Sequence, residues 1–211
     1  MQGIGPSWIP ITGDWDGDGI DTVGFYDPAA SVFHLRNSNS SGPDDVTFAF
    51  GTAGAGWLPI VGDWDEDGVD SVGLYDPATA TFRLKYFNES GAADATFVFG
   101  PTGSVPVAGD WNGDGRDTIG VWIPSTGEWR LRNSNSAGAA DATFVFTATG
   151  AGWLPIAGDW DTNGLATPGL YQPATGQFIL RKTNLKTSGT AKFNFGPVPG
   201  GLPLAGDWNG K

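Results

Sequence analysis

The residues best suited to chemistry in this sequence are closely spaced carboxylates. Residues 13–24 read GDWDGDGIDTVG and place Asp14, Asp16, Asp18 and Asp21 within eight residues. Like charges at this spacing repel, and a folded loop must offset the repulsion with a cation, with hydrogen-bond donors or with exposure to water. Alternating oxygen ligands with glycine at the sixth position let a short loop surround Ca²⁺. The stretch therefore predicts a cation site.

The same motif returns four more times, so the candidate site belongs to a repeat. GDWDEDGVDSVG spans 62–73, GDWNGDGRDTIG spans 109–120, GDWDTNGLATPG spans 158–169 and a truncated GDWNGK spans 206–211. We name these five motifs loop 1 to loop 5 in chain order. Their tryptophans are 47 to 49 residues apart, which is the period of a β-propeller blade.

Strand patterns surround each loop. An apolar segment with proline, such as WLPIV, precedes the loop, and a short run such as SVGLYDP follows it. Two alternating segments, such as ATFRLK and DATFVFG, complete the unit, and a hairpin-turn signal such as DPATA precedes the first of them. No segment of ten or more residues shows helical periodicity. We therefore predict an all-β chain with four strands in each unit.

We predict one β-propeller repeat array over residues 1–211. Its four-stranded blades span about 8–56, 57–104, 105–152 and 153–200, with a partial repeat at 201–211. A β-sandwich has no reason to repeat its sequence, and solenoid coils are usually shorter than this unit. The motif Pro-x-x-Gly-Asp-Trp has five copies, whereas the other strands have four. Four blades that close alone and a homodimer that completes a larger ring both remain open.

The loops and the Phe-Gly pairs ahead of them resemble the FG-GAP repeats of integrin-α-like calcium-binding β-propellers. The pairs are Phe50-Gly51, Phe99-Gly100 and Phe195-Gly196, while the third unit has Phe146-Thr147. The resemblance covers nearly the whole chain. It implies Ca²⁺ as cofactor, with oxygen ligands at loop positions 1, 3 and 5, a backbone carbonyl at position 7 and a carboxylate at position 9.

Applied to this chain, the pattern predicts metal ligands in four loops. They are Asp14, Asp16, Asp18, the Ile20 carbonyl and Asp21 in loop 1; Asp63, Asp65, Asp67, the Val69 carbonyl and Asp70 in loop 2; Asp110, Asn112, Asp114, the Arg116 carbonyl and Asp117 in loop 3; and Asp159, Asp161 and Asn163 in loop 4.

Position 9 departs from the family pattern. It holds Thr22, Ser71 and Thr118, and the acid lies one place earlier. Either that acid closes the site with altered geometry, or the hydroxyl or a water does. Loop 4 also lacks the acid at position 8, where it has Ala166, and loop 5 ends too soon to bind. The alternative to a metal is that the carboxylates only form Asx-turns, but four adjacent acids exceed what a turn requires.

The net charge of −12 arises in the loops. They hold 15 of the 23 acidic residues, whereas the rest of the chain holds 8 acidic residues and 9 of the 11 Lys and Arg residues. This local acidity favours cations, and we expect no nucleic-acid partner. The absence of cysteine excludes disulfides and thiolate metal sites. No stretch approaches the roughly 20 apolar residues of a membrane helix, so we expect no membrane insertion.

The sequence offers no catalytic set, so we predict a non-enzymatic binding module. The only histidine, His34, lies on the outward phase of a strand and has no repeated counterpart. We favour a calcium-supported, extracellular or cell-surface propeller with lectin-like carbohydrate binding or adhesion, whose export signal would lie outside this chain. Glycans or a surface protein would be its partners.

Three tryptophans at loop ends, Trp8, Trp57 and Trp153, could stack on a sugar, although covering blade edges is the favoured role. One alternative function is a purely structural scaffold module of a larger surface protein. A second is a polysaccharide-active enzyme, which would need carboxylates outside the loops, such as Asp44, Asp94 and Asp141.

Overall fold

The computed structural model describes Gly5, residues 7–148 and residues 150–210, and it is an all-β protein. Sixteen strands in the described residues form four antiparallel sheets of four strands, arranged as a four-bladed β-propeller. The predicted fold class is confirmed. The described residues contain no helix that could cross a membrane.

Each blade is a meander in which consecutive strands pair. Blade 1 contains β1 (Ile9–Gly13), β2 (Thr22–Asp27), β3 (Val32–Leu35) and β4 (Val46–Ala49). Blade 2 contains β5 (Leu58–Gly62), β6 (Ser71–Asp76), β7 (Thr81–Leu84) and β8 (Ala95–Val98).

The other two blades repeat this order. Blade 3 contains β9 (Val105–Gly109), β10 (Thr118–Ile123), β11 (Glu128–Leu131) and β12 (Ala142–Val145). Blade 4 contains β13 (Leu154–Gly158), β14 (Thr167–Gln172), β15 (Gln177–Arg181) and β16 (Thr190–Asn194). The first strands lie side by side in the order β1, β5, β9, β13 and line a central cavity of about 860 Å³.

The hairpin turn between the second and third strands follows the turn signals in the sequence. Its last residue has a left-handed backbone, with φ of 68° at Gly127 and 66° at Gly176. Glycine adopts this conformation at no steric cost. Blades 1 and 2 place Ser31 and Ala80 there, at 56° and 54°. These two side chains are buried, and Ser31 Oγ donates a hydrogen bond of 2.7 Å to the Phe50 carbonyl.

In the described residues the hydrophobic core forms three clusters, which lie between blades 1 and 2, blades 2 and 3, and blades 3 and 4. At the first junction Phe48 and Phe50 of blade 1 pack with Val72 and Leu74 from β6 of blade 2. The second and third junctions repeat this arrangement with the Phe pair of one blade and the second strand of the next. A blade buries its Phe pair only where a following blade covers it, which is why the array needs neighbours.

The residues after blade 4 lie against blade 1. Thr12 Oγ1 donates to the Ala205 carbonyl at 2.6 Å, and the Asp21 N–H donates to the Asp207 carbonyl at 2.8 Å. Each complete junction has the same contact, for example from the Asp70 N–H to the Asp14 carbonyl at 2.7 Å. Residues 203–207 therefore bond to blade 1 in the way that the first strand and loop of each blade bond to the blade after it. No strand is formed between 201 and 210, so this closing segment has no sheet of its own.

Candidate functional site

Loops 1 to 4 each join the first strand of a blade to the second, and the first aspartate of each loop organises its backbone. In loop 1 the Asp14 carboxylate accepts hydrogen bonds from the N–H groups of Gly17 at 2.8 Å, Asp18 at 3.1 Å and Gly19 at 2.7 Å. Asp18 in turn accepts from the Ile20 N–H at 2.9 Å. These bonds wrap the backbone around one carboxylate, and they form the Asx-turns that the sequence also indicated.

The predicted trio at positions 1, 3 and 5 comes together in loops 1 and 2. Asp14, Asp16 and Asp18 each offer a carboxylate oxygen, and these oxygens lie within 4.8 Å of one another. Asp63, Asp65 and Asp67 form the same group in loop 2. With one oxygen each, three carboxylates supply three of the roughly six to eight oxygens that Ca²⁺ takes.

The position-7 carbonyls have free acceptor capacity. In the described residues no hydrogen bond reaches the carbonyl oxygens of Ile20, Val69 or Arg116. These three oxygens are therefore available to a cation or to water.

Asp65 of loop 2 has a carboxylate oxygen that lacks a hydrogen-bond donor. Its Oδ1 atom is buried and has no hydrogen-bond partner. Desolvation raises the pKa of Asp65, and the charges of Asp67 and Asp63 raise it further. A carboxylate oxygen without a donor, beside two like charges, is costly unless a cation compensates it.

Loops 3 and 4 are less suited to a metal. In loop 3 the Asn112 side-chain amide donates to Asp114 Oδ2 at 2.9 Å, and this bond holds the pKa of Asp114 below its usual value. Loop 4 has only Asp159 and Asp161 as acids, with Asn163 at position 5. Fewer carboxylates give a weaker attraction for a divalent cation.

The acids at position 8 lie apart from their own trio and bond to the preceding blade. Asp70 Oδ2 accepts from the Asp14 N–H at 2.9 Å, and Asp117 Oδ2 accepts from the Asp63 N–H at 3.2 Å. Asp21 Oδ2 accepts from the Asp207 N–H in the same way. The structure thus does not bring these three predicted ligands to the trios; the carboxylates join neighbouring loops.

The hydroxyls at position 9 are also engaged elsewhere. Thr22 Oγ1 donates to the Arg36 carbonyl at 2.6 Å, and Ser71 Oγ donates to the Lys85 carbonyl at 2.6 Å. Both side chains are buried. Further ligands for the trios would therefore come from the position-7 carbonyls and from water.

The position-8 acids line the central cavity, which the sequence did not predict. Asp21, Asp70 and Asp117 line it together with Asp110. Burial raises the pKa of Asp117 to about 7, and the charges of Asp110, Asp63 and Asp21 act in the same direction. Burial and the Asp117 charge also raise the pKa of Asp70 well above its usual value.

The three tryptophans proposed for sugar stacking contact protein groups. Trp8 stacks on His34 at 4.3 Å between ring centroids, and His34 Nδ1 lies 2.8 Å from Asp44 Oδ2. The Arg83 guanidinium lies 4.0 Å from the Trp57 ring centre. Trp153 is buried in the core cluster between blades 3 and 4. These placements agree with the favoured role of covering blade edges.

The acids outside the loops do not converge. Asp44 pairs with His34 in blade 1, Asp94 pairs with Lys85 at 3.1 Å in blade 2, and Asp141 accepts from the Asn133 N–H at 2.8 Å in blade 3. Each bond lies within one blade, so the three carboxylates do not form a pair across one cleft.

A cleft of about 460 Å³ opens between blades 3 and 4. Its walls include the polar side chains of Asn133, Asn163 and Thr183, with Leu165 and Trp111 as apolar surface. Its residues come from loops far apart in the sequence, so the repeat pattern gave no signal for it. Asp141 and Lys182 also line the cleft, and amides, hydroxyls and charged groups beside an apolar surface suit a polyhydroxylated ligand.

Comparison with family models, with curated proteins and with solved structures finds no match to this chain.

Proposed function

We propose that this chain is a non-enzymatic, calcium-stabilised β-propeller binding module, with loops 1 and 2 as its metal sites. The unpaired buried oxygen of Asp65, held beside Asp63 and Asp67, carries this proposal. A divalent cation would satisfy that oxygen and offset the repulsion within each trio. The resemblance of the loops to calcium-binding repeats supports the same ion.

The metal would act on stability rather than on chemistry. Each trio lies between the first and second strands of a blade, and the Asp14 N–H is bonded to Asp70 of the next blade. An ion in loop 1 would therefore stabilise a hairpin and the adjoining junction together. Loops that supply few protein ligands bind weakly, which suits an extracellular or cell-surface location where Ca²⁺ is abundant.

Thermal unfolding with Ca²⁺ and with a chelator tests the metal sites. Binding to the folded state stabilises it by about 2.7 kcal/mol for each site at a free Ca²⁺ concentration of 100 Kd. We expect Tm to fall on chelation, and calorimetric titration to give two sites per chain. Asp65→Asn should remove one site. The control Glu89→Gln removes an exposed charge outside the loops and should retain both.

An unchanged Tm with and without chelator, together with no heat of binding, would refute the metal assignment. Retention of both sites in Asp65→Asn would refute the role of that residue.

We propose carbohydrate as the ligand of the module, because the cleft between blades 3 and 4 combines amide, hydroxyl and apolar groups. A glycan array with Asn133→Ala and Thr183→Ala variants tests this site. Both should lose binding, whereas Trp57→Ala should keep it because Trp57 contacts Arg83 instead.

A glycan array without binding, together with a calcium-dependent Tm, would favour the alternative of a purely structural scaffold module of a larger surface protein. Turnover of a polysaccharide would instead favour the enzyme.

A further inference from the structure

The side chain at position 7 of one loop lies against position 4 of the preceding loop. A Cβ added to Gly17 of loop 1 would lie 3.2 Å from Val69 Cγ2 of loop 2. In the same way, a Cβ added to Gly113 of loop 3 would lie 3.1 Å from Leu165 Cδ2 of loop 4. Position 4 lies between positions 3 and 5 in the chain, so the position-7 side chain of the following loop borders the preceding loop at these acids.

Arg116 of loop 3 brings a positive charge to this place beside loop 2. Its Nη2 atom lies 3.5 Å from Oε2 of Glu66, which occupies position 4 of loop 2. No other ion pair among the described residues joins two GDW loops. Both side chains are 43% exposed, and an ion pair with this exposure contributes little to folding stability. The charge of Arg116 therefore matters more for what loop 2 binds than for the fold.

The Arg116 charge acts on the trio of loop 2. Desolvation raises the pKa of Asp65, whereas the charge of Arg116 lowers it. Arg116 Nε and Asp65 Oδ1 are both buried atoms without a hydrogen-bond partner, and no ion pair joins the two side chains in the described part of the chain. Arg116 is thus a nearby charge that leaves the Asp65 oxygen open to an ion.

We propose that the Arg116 side chain weakens Ca²⁺ binding at loop 2, so that the two metal sites differ in affinity and loop 1 fills first. A guanidinium stays positively charged, and it repels a divalent cation that enters the trio. Beside loop 1 the equivalent residue is Val69, which has no charge. This inference rests on the proposed function, because it ranks the metal sites proposed there. The chain would then respond to Ca²⁺ in two steps, over a wider concentration range than two equal sites allow.

Calorimetric titration of the full chain with CaCl₂ at low ionic strength tests the inference one site at a time. Asp65→Asn leaves only loop 1, and Asp16→Asn leaves only loop 2. We expect the Kd of loop 2 to exceed that of loop 1 by at least about three-fold. In the Asp16→Asn chain, Arg116→Leu should lower the Kd of loop 2 by at least about three-fold, whereas Arg116→Lys keeps the charge and should change it less than about two-fold.

A second set of variants separates the charge of Arg116 from that of its partner Glu66. Arg116→Leu should lower the Kd of loop 2 by a similar factor when Glu66→Gln is already present, because the repulsion is between the guanidinium and the ion. In the Asp65→Asn chain, Val69→Arg should raise the Kd of loop 1 by a similar factor. Raising the ionic strength to about 0.5 M should reduce both effects, because salt screens charges near the surface.

The outcomes distinguish this inference from the metal assignment. Equal Kd values at the two loops, or no effect of Arg116→Leu, would overturn the inference and leave both metal sites in place. The same gain in affinity from Arg116→Lys would show that packing rather than charge acts at loop 2, and a gain that disappears with Glu66→Gln would assign the effect to Glu66; either result also overturns it. No heat of binding in the wild-type chain would refute the metal assignment and the inference together.

Discussion

Replacement of Asp117 by asparagine should change how stability depends on pH. The pKa of Asp117 is raised to about 7 in the folded chain, from 3.8 for an exposed aspartate. A carboxyl whose pKa is higher in the folded state binds its proton more tightly there, so protonation stabilises the fold. This contribution is complete below pH 3.8 and disappears as the pH rises through 7.

The size of the effect follows from the two pKa values. Their difference corresponds to on the order of 4 kcal/mol in total, of which about 2.5 kcal/mol is lost between pH 5 and pH 8. Asp117→Asn has no charge to bury, and its side-chain oxygen can still accept from the Asp63 N–H. The stability advantage of the variant over wild type should therefore be small below pH 3.8 and should grow by about 2.5 kcal/mol between pH 5 and pH 8.

Urea unfolding in the presence of chelator, followed by tryptophan fluorescence at pH 5, 6, 7 and 8, measures this difference. The chelator removes any contribution of metal binding, and the difference between variants removes the titration of groups they share. Glu89→Gln is the control for loss of one negative charge. Parallel stability curves for wild type and Asp117→Asn would refute the argument that cavity burial raises this pKa.

Two further predictions test the packing of the blades by urea unfolding. Phe50→Ala should lower the free energy of unfolding by about 3–5 kcal/mol because its side chain is buried at a junction between blades. Phe195→Ala should lower it by less than about 1 kcal/mol because that side chain in blade 4 is exposed. Equal losses in the two variants would contradict this difference in burial. Gly73→Ala should cost about 1–3 kcal/mol because a Cβ there would lie 2.7 Å from Leu84 Cδ2 and 2.8 Å from Ile60 Cγ2; a neutral result would show that this strand contact can relax.

Much of the fold was readable from the sequence, because its signals are local and repeated. Alternation around Phe82 and Leu84, and the turn at Gly127, each depend on a few adjacent residues. The trios of loops 1 and 2 were predictable for the same reason, since residues two apart on a tight loop must lie near each other.

The roles of the position-8 acids and of the tryptophans could not be predicted in this way, because they depend on contacts between blades. Asp70 bonds to Asp14, 56 residues earlier, and its distance from that loop is set by how adjacent blades pack. The acid at position 8 is displaced by one residue from the family pattern, and this was the only local sign of its different role. Trp8 and Trp153 occupy equivalent sequence positions, yet only Trp153 lies in a core cluster between complete blades.

The unequal surroundings of the blades also predict how the chain yields to mechanical tension. Blades 2 and 3 have a complete blade on each side, whereas blades 1 and 4 have one on a single side. In a repeat array each unit is held mainly by its neighbours, so a stretched chain should release its terminal blades before its middle ones. Each released blade would lengthen the tether by roughly 160 Å, the span of about 48 extended residues. Tension applied to both ends of the chain would then unfold it in steps, and blades 2 and 3 would stay folded longest.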